Sequence, residues 1–344
     1  MKKVTIIGHF GGDKKFVDGQ TVKTKITTSE LKKIIGDSEV NTIDTYNWRK
    51  KPLNLVLKII QSFRKSKNII ILTAHNGLKI FIPLCVTINL IYNRKIHYSV
   101  IGGWLPSYLK ENKWLNTYLN KVDNIYVETR KMKKELEYYG YKNIHEIPNF
   151  KNINIIDKPI NIQEGSTYKV CTFSRVNKDK GIEDLCIAIE KINMDRSCGL
   201  YQLDVFGPVE DEYIEEFDLL KKKYSKFMRY KGVIESDKSV EVISKYYMLI
   251  FPTKYKTEGI PGTIIDAYAS GVPVIVSRWE SYSEILKENI TGISYEFNNI
   301  DNLVEKLEIA KDKILINSLR ENCIEEARRY MPQYAISKIV KLLD

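Results

Sequence analysis

The sequence predicts an α/β protein built as two doubly wound, parallel-sheet domains of Rossmann-like type. Three observations lead there. Short Val/Ile-rich segments alternate with helix-length segments up to about residue 150, the pattern of strand-helix-strand crossovers. The alternation restarts at Tyr168 after a polar, turn-prone stretch at 151–167. A chain of 344 residues suits two medium domains better than one large core. The expected boundaries are 1–150, a linker at 151–167, 168–330, and a last helix at 331–344 able to return to the first domain.

In the first series the expected strands are 4–8, 40–44, 69–73, 96–101, 125–128 and 144–147. The first runs into His9, Phe10, Gly11 and Gly12, a turn that lets backbone approach a ligand at the carboxyl edge of a parallel sheet. A helix spans 52–67, with Leu53, Val56, Leu57, Ile60 and Phe63 on one face and cations gathered at its end. That stripe is expected to pack on the sheet, leaving a lysine-rich flank able to touch a membrane. His75 follows the third strand, where functional residues of such sheets gather. After the fourth, Gly102, Gly103 and Trp104 either wall an acceptor site, with Trp104 as a stacking plane, or form a plain turn with a core tryptophan.

In the second series, strand 170–173 leads into a polar turn holding Arg175, Lys178 and Lys180 before a helix at 182–192. Arg175 and Lys180 can place a planar guanidinium and a mobile ammonium around one diphosphate. Strands follow at 202–206, 228–232 and 248–252. The last delivers the chain to Glu258 and Gly259, then to a short helix entered through Pro261 and Gly262 and ended by Gly271. The unpaired N–H groups of Gly262, Thr263 and Ile264 would form an anion site. Glu258 lies on the loop before this helix and Asp266 one turn into it, so two hydroxyl-binding acids flank one phosphate-binding helix end.

Composition narrows the classes. Hydrophobic residues make up 43% and charged residues 28%, as in a globular chain. The five cysteines, Cys85, Cys171, Cys186, Cys198 and Cys323, are scattered and never spaced C-x-x-C, which fits a reduced cytoplasm without structural zinc. No secretion signal is read at the start, and the longest apolar run, 80–92, is interrupted by Pro83 and Asn89. A cytoplasmic protein, peripheral on the membrane at most, is the expectation. The net charge of +11 is uneven: residues 1–150 hold 26 Lys and Arg against 12 Asp and Glu, and no acid occurs from Thr45 through Lys110. Such a face suits an anionic membrane surface.

The stretch Glu258, Asp266, Gly271-Val272-Pro273-Val274-Ile275 resembles the signature of the retaining glycosyltransferases of family 4, with the GT-B fold. Arg175, Lys180 and Gly181 resemble that family's Gly-Arg-(x)4-Lys-Gly motif, with Ser174 for the first glycine. The resemblance implies two Rossmann-like domains facing a central cleft. It also implies a nucleotide-sugar donor, with UDP-sugar the expected one. Gly11, Gly12, Arg175, Lys180, Gly259, Gly262 and Thr263 would surround the donor, Glu258 would hold the transferred sugar and Asp266 the ribose. The expected reaction is hexose transfer to a lipid-linked or growing surface-polysaccharide acceptor, with His75, Gly103 and Trp104 on the acceptor side. No cofactor and no metal is expected. Phe150 replaces the glycine of the family's Ile-Pro-Asn-Gly junction, and Gly102 stands where many relatives have a histidine. The alternatives are a GT-B sugar-nucleotide epimerase and a non-catalytic nucleotide or polyanion binder. No nucleic-acid motif accompanies the charge, so nucleic acid is not an expected partner.

Overall fold

The computed structural model describes residues 1–13, 19–160, 167–194 and 200–343. Residues 14–18, which follow the Gly11 and Gly12 turn, part of the expected linker and Cys198 lie outside these residues. The chain divides into two compact units, Met1–Asn152 with Tyr330–Asp344, and Ile153–Arg329.

The first unit has six strands, β1 (Lys2–Gly8), β2 (Val40–Asp44), β3 (Ser66–Leu72), β4 (Lys95–Ser99), β5 (Asn124–Val127) and β6 (Ile144–Glu146). Its helices are α1 (Gly19–Ile35), α2 (Pro52–Lys65), α3 (His75–Tyr92), α4 (Leu105–Glu111), α5 (Asn116–Leu119) and α6 (Arg130–Tyr138). The strand order is β2-β1-β3-β4-β5-β6, and every pairing is parallel. Such strands are covered on both faces, so Ile69, Ile70, Ile71 and Leu72 are all fully buried.

The second unit carries β7 (Tyr168–Phe173), β8 (Tyr201–Phe206), β9 (Met228–Tyr230), β10 (Met248–Phe251), β11 (Val274–Ser277) and β12 (Gly292–Tyr295). Its helices are α7 (Ile182–Met194), α8 (Ile214–Lys223), α9 (Ser239–Ile243), α10 (Gly262–Ala269), α11 (Ile300–Ile309) and α12 (Lys313–Ala327). The order is β12-β11-β10-β7-β8-β9, again wholly parallel. A last helix, α13 (Pro332–Leu342), belongs to the first unit, where Ala335, Ile336 and Ile339 share a core with Val4, Ile6 and Leu31.

One element departs from the sequence expectation, and two others were not read from it. The buried face of α2 is Leu55, Ile59, Ser62 and Phe63, while Leu53 and Leu57 are 79% and 59% exposed. The helix is apolar on more than one side, and its periodicity alone did not say which side meets the sheet. Helix α3 continues past Pro83. The proline removes one backbone donor, and burial of Leu78, Phe81, Ile82, Cys85 and Val86 offsets that loss. Strand β12 was hidden by its leading glycine, which reads as a turn. Gly292 is needed there because a Cβ would lie 2.2 Å from the Val274 carbonyl oxygen on the adjacent strand.

Candidate functional site

The strand order of the second sheet reverses between β7 and β10, so the chain leaves these neighbours in opposite directions at their carboxyl ends. Doubly wound sheets bind ligands at such a point. The loop after β7 carries Arg175 and Lys180, and the loop after β10 carries Glu258. Lys254 N–H donates to the Asp179 carbonyl at 2.7 Å, joining the two loops. Gly181 makes their approach possible: its φ is +66°, and a Cβ would lie 1.9 Å from the Pro252 carbonyl oxygen.

Within this frame Lys180 Nζ pairs with Glu258 Oε1, both side chains being about 15% exposed. The Thr253 hydroxyl donates to the same oxygen at 3.1 Å and accepts from Tyr255 N–H at 3.1 Å. The Ser277 hydroxyl donates to the Thr253 carbonyl at 2.6 Å and anchors the strand end. The ammonium also lies 5.7 and 5.8 Å from the ring centroids of Phe251 and Tyr255. A cation and a carboxylate are thus held together, 78 residues apart in sequence, at the edge where the sheet divides. Arg175 stands apart from that pair. Its guanidinium is 62% exposed and lies 3.1 Å from Glu210, a surface contact that costs little to exchange for an anionic ligand.

Helix α10 opens after Pro261, an extended N-cap with no side-chain hydrogen bond. Ile264 N–H donates to the Pro261 carbonyl at 3.1 Å, so the open donors at this end are Gly262 and Thr263 and not, as expected, Ile264 as well. The Thr263 Oγ1 atom is buried without a hydrogen-bond partner. Gly259 is buried on the approach to the helix, and Asp266, 4% exposed, sits on its buried side.

The first sheet reverses between β1 and β3, and a cavity of about 240 Å³ lies there, lined by His9, Gln20, Thr73, His75, Asn76 and Phe81 among others. His9 Nδ1 is 2.7 Å from the Thr21 hydroxyl. The His75 ring stacks on Trp104 with centroids 3.8 Å apart, and its burial lowers its pKa, leaving the imidazole neutral at pH 7. Trp104 is 4% exposed and donates its indole N–H to the Ile101 carbonyl at 2.6 Å. Of the two readings of Trp104, the stacking plane is the one corrected and the core tryptophan is the one found: one face of the indole is taken by His75 and the ring is buried. Gly103, beside it in the turn, is half-buried.

Gly11 and Gly12 have φ of +88° and +54°, as a tight glycine turn requires. The Gly12 amide is already engaged, since Asp44 Oδ2 accepts from it at 2.8 Å while Oδ1 accepts from Phe10 and Tyr46 N–H at 2.9 and 2.8 Å. Asp44, Thr253 and the side chain of His9 were not singled out from sequence. The one available signal was position, since each sits at or just past the carboxyl end of a parallel strand.

Comparison with known proteins agrees with this architecture. The profile of the family described as glycosyl transferases group 1 matches residues 152–330. An N,N'-diacetylbacillosaminyl-diphospho-undecaprenol alpha-1,3-N-acetylgalactosaminyltransferase of Campylobacter jejuni is 28% identical over 242 residues, 69% of this chain and 55% of that protein. An Escherichia coli UDP-Gal:alpha-D-GlcNAc-diphosphoundecaprenol alpha-1,3-galactosyltransferase is 32% identical over 66 residues, 19% of this chain and 17% of that protein. The matches thus span about half the length of the first relative and a smaller part of the second. Among solved structures, a sucrose-phosphate synthase from Thermosynechococcus elongatus superposes with a TM-score of 0.78 at 15% identity, covering 99% of this chain and 98% of that one. Anabaena HepE, in complex with UDP and glucose, gives 0.75 at 13% identity, with 99% and 98% covered. At those identities the likeness establishes the fold, the two-domain α/β architecture of GT-B glycosyltransferases. With a family profile spanning just over half of its length on that fold, the chain belongs to the glycosyl transferases group 1 family.

Proposed function

We propose that this chain is a retaining glycosyltransferase of the family 4 type, transferring a hexose from a UDP-sugar to a lipid-linked or growing surface-polysaccharide acceptor at the cytoplasmic face of a membrane. The observation that carries this reading is the pairing of Lys180 with Glu258 at the dividing edge of the second sheet. One loop junction there offers a cation for a diphosphate and a carboxylate for sugar hydroxyls. Two names support the chemistry. HepE was solved with UDP and glucose, and the Campylobacter enzyme is named for a diphospho-undecaprenol acceptor.

In this reading the donor's C1–O bond to phosphate breaks, and the acceptor oxygen bonds C1 on the same face. The acceptor proton passes to the departing phosphate. Charge grows on that diphosphate, and Lys180, Arg175 and the N–H groups of Gly262 and Thr263 stabilise it, a task worth several kcal/mol. Glu258, relieved of Lys180 by the anion, turns to the transferred sugar, and Asp266 holds the ribose. The resemblance gives Gly11 and Gly12 a donor-binding role, which requires the Asp44 contact to the Gly12 amide to be exchanged. His75 and Gly103 border the acceptor side. No metal is required.

Lys180→Ala, Arg175→Ala and Glu258→Ala are each expected to lower donor turnover by about 10²–10³-fold, and the wild type to keep its rate in the presence of a chelator. Full activity in all three variants, with the fold intact by circular dichroism, would overturn the site.

A further inference from the structure

The turn after β2 and the first half of α2 enclose a second cavity in the first unit, of about 260 Å³, and its lining is unusual in charge. Lys50, Lys51 and Lys58 line it, together with Asn47, Asn54 and Asp44. Asp44 is its one acid among the described residues, and both carboxylate oxygens are already occupied by the backbone N–H groups of Phe10, Gly12 and Tyr46. Among the described residues none of the three lysines is in an ion pair, and the sequence supplies no acid from Thr45 through Lys110 to neutralise them. Three lysines on one cavity wall, outside any ion pair, offer an anion three cationic donors. The asparagines add side-chain amides as further donors.

The cavity is smaller than the roughly 300–1,000 Å³ of sites that enclose a whole drug-sized ligand, a size suited to a headgroup. Its setting indicates where the remainder of such a ligand would go. Lys51, Asn54, Leu55 and Lys58 recur at helical spacing and make the cavity wall. Leu55 continues into the buried stripe with Ile59 and Phe63, whereas Leu53 and Leu57, one turn apart, are 79% and 59% exposed. A helix that carries lysines beside large exposed leucines has the makeup of one lying in a bilayer interface.

We propose that this cavity binds the diphosphate headgroup of a membrane-embedded lipid, with Leu53 and Leu57 entering the bilayer beside it. The inference deepens the reading above by assigning the anionic part of a lipid-linked acceptor to Lys50, Lys51 and Lys58. A diphosphate spreads its charge over two adjoining phosphoryl groups and can engage all three ammonium groups. A phosphodiester headgroup carries a single charge and matches them less well, and a bare anionic surface would not need a recess.

The test is flotation of the full-length chain with phosphatidylcholine vesicles containing either a polyprenyl diphosphate or phosphatidylglycerol at equal surface charge. Tighter binding to the diphosphate vesicles, by about tenfold or more, is expected, and inorganic pyrophosphate should compete for it. The triple variant Lys50→Gln, Lys51→Gln, Lys58→Gln should lose that preference with its melting temperature unchanged, since all three side chains are exposed. Leu53→Ser with Leu57→Ser should weaken binding to both vesicles while leaving inorganic pyrophosphate binding intact. Equal binding to the two vesicles, or a diphosphate preference that survives the triple variant, would overturn the proposal. If those results coincide with loss of transfer in Glu258→Ala, the headgroup site fails and the glycosyltransferase reading stands.

Discussion

The hydroxyl of Thr263 is buried at the start of α10 with nothing to bond. An orphaned polar atom costs about 1–3 kcal/mol, so it is retained only where another gain offsets the cost. A ligand oxygen at the helix start supplies that gain. Thr263→Val, which keeps the shape, should hold or raise the melting temperature while weakening UDP binding about five- to tenfold. Isothermal titration checks this, and unchanged affinity would remove Thr263 from the site. Lys180 shows the complementary economy: before any anion arrives its charge is neutralised by Glu258 and faced by two aromatic rings, so neither charge stands alone in a partly enclosed place.

Between elements, the contacts that matter are loop to loop at the dividing edge of the second sheet. Gly181 lets the turn after β7 lie against Pro252 after β10, and a methyl group at that position would collide with fixed backbone. Gly181→Ala should therefore displace Lys180 from Glu258 and destabilise the second unit by about 1–3 kcal/mol, with donor affinity falling in parallel. Denaturant unfolding and UDP titration read the two effects, and a variant with wild-type affinity would contradict the account. In the first unit α13 closes the sheet with Ile336, which is fully buried beside Val4 and Ile6. Ile336→Ala should cost about 2–5 kcal/mol in the unfolding of that unit without altering UDP affinity. A loss below 1 kcal/mol, or a change in UDP affinity, would show that α13 does more or less than seal this core.

Across the first unit as a whole, pH sensitivity is expected to centre on a buried polar network. His97 Nε2 lies 3.0 Å from Asn68 Oδ1, and the Asn68 amide group donates to the carbonyls of Lys3 and Leu343. That arrangement places the proton on Nε2 and leaves Nδ1 to accept from Tyr126 at 2.7 Å. Burial, and secondarily the charges of Lys95 and His145, lower the pKa of His97 from 6.5 to about 3. The folded state thus refuses a proton that the unfolded chain takes up, so the contribution of His97 is intact above pH 6.5 and is lost progressively down to about 3. Melting temperature followed over that window should fall less steeply in His97→Gln than in the wild type. Parallel profiles would show that the network is not the sensor. No helix among the described residues is long and apolar enough to cross a membrane.

Periodicity and punctuation made much of this legible before any coordinates. Alternating Val/Ile segments placed most of the strands, Pro261 and Gly271 bracketed α10, and the spacing from Glu258 to Asp266 marked the stretch that the structure sets at the edge of β10. Those signals are local, written in neighbours a few residues apart. Partnership is not local. That Lys180 meets Glu258, that Asp44 occupies the Gly12 amide and that His75 covers Trp104 follow from which strands lie side by side, and strand order is set by crossovers tens of residues long. The face of α2 that is buried was likewise decided by the sheet beneath it. Sequence alone determined the elements and the chemistry they could carry, whereas tertiary structure decided which groups neutralise one another and which lysines, among the described residues, stay outside any ion pair, because those outcomes depend on distances through space.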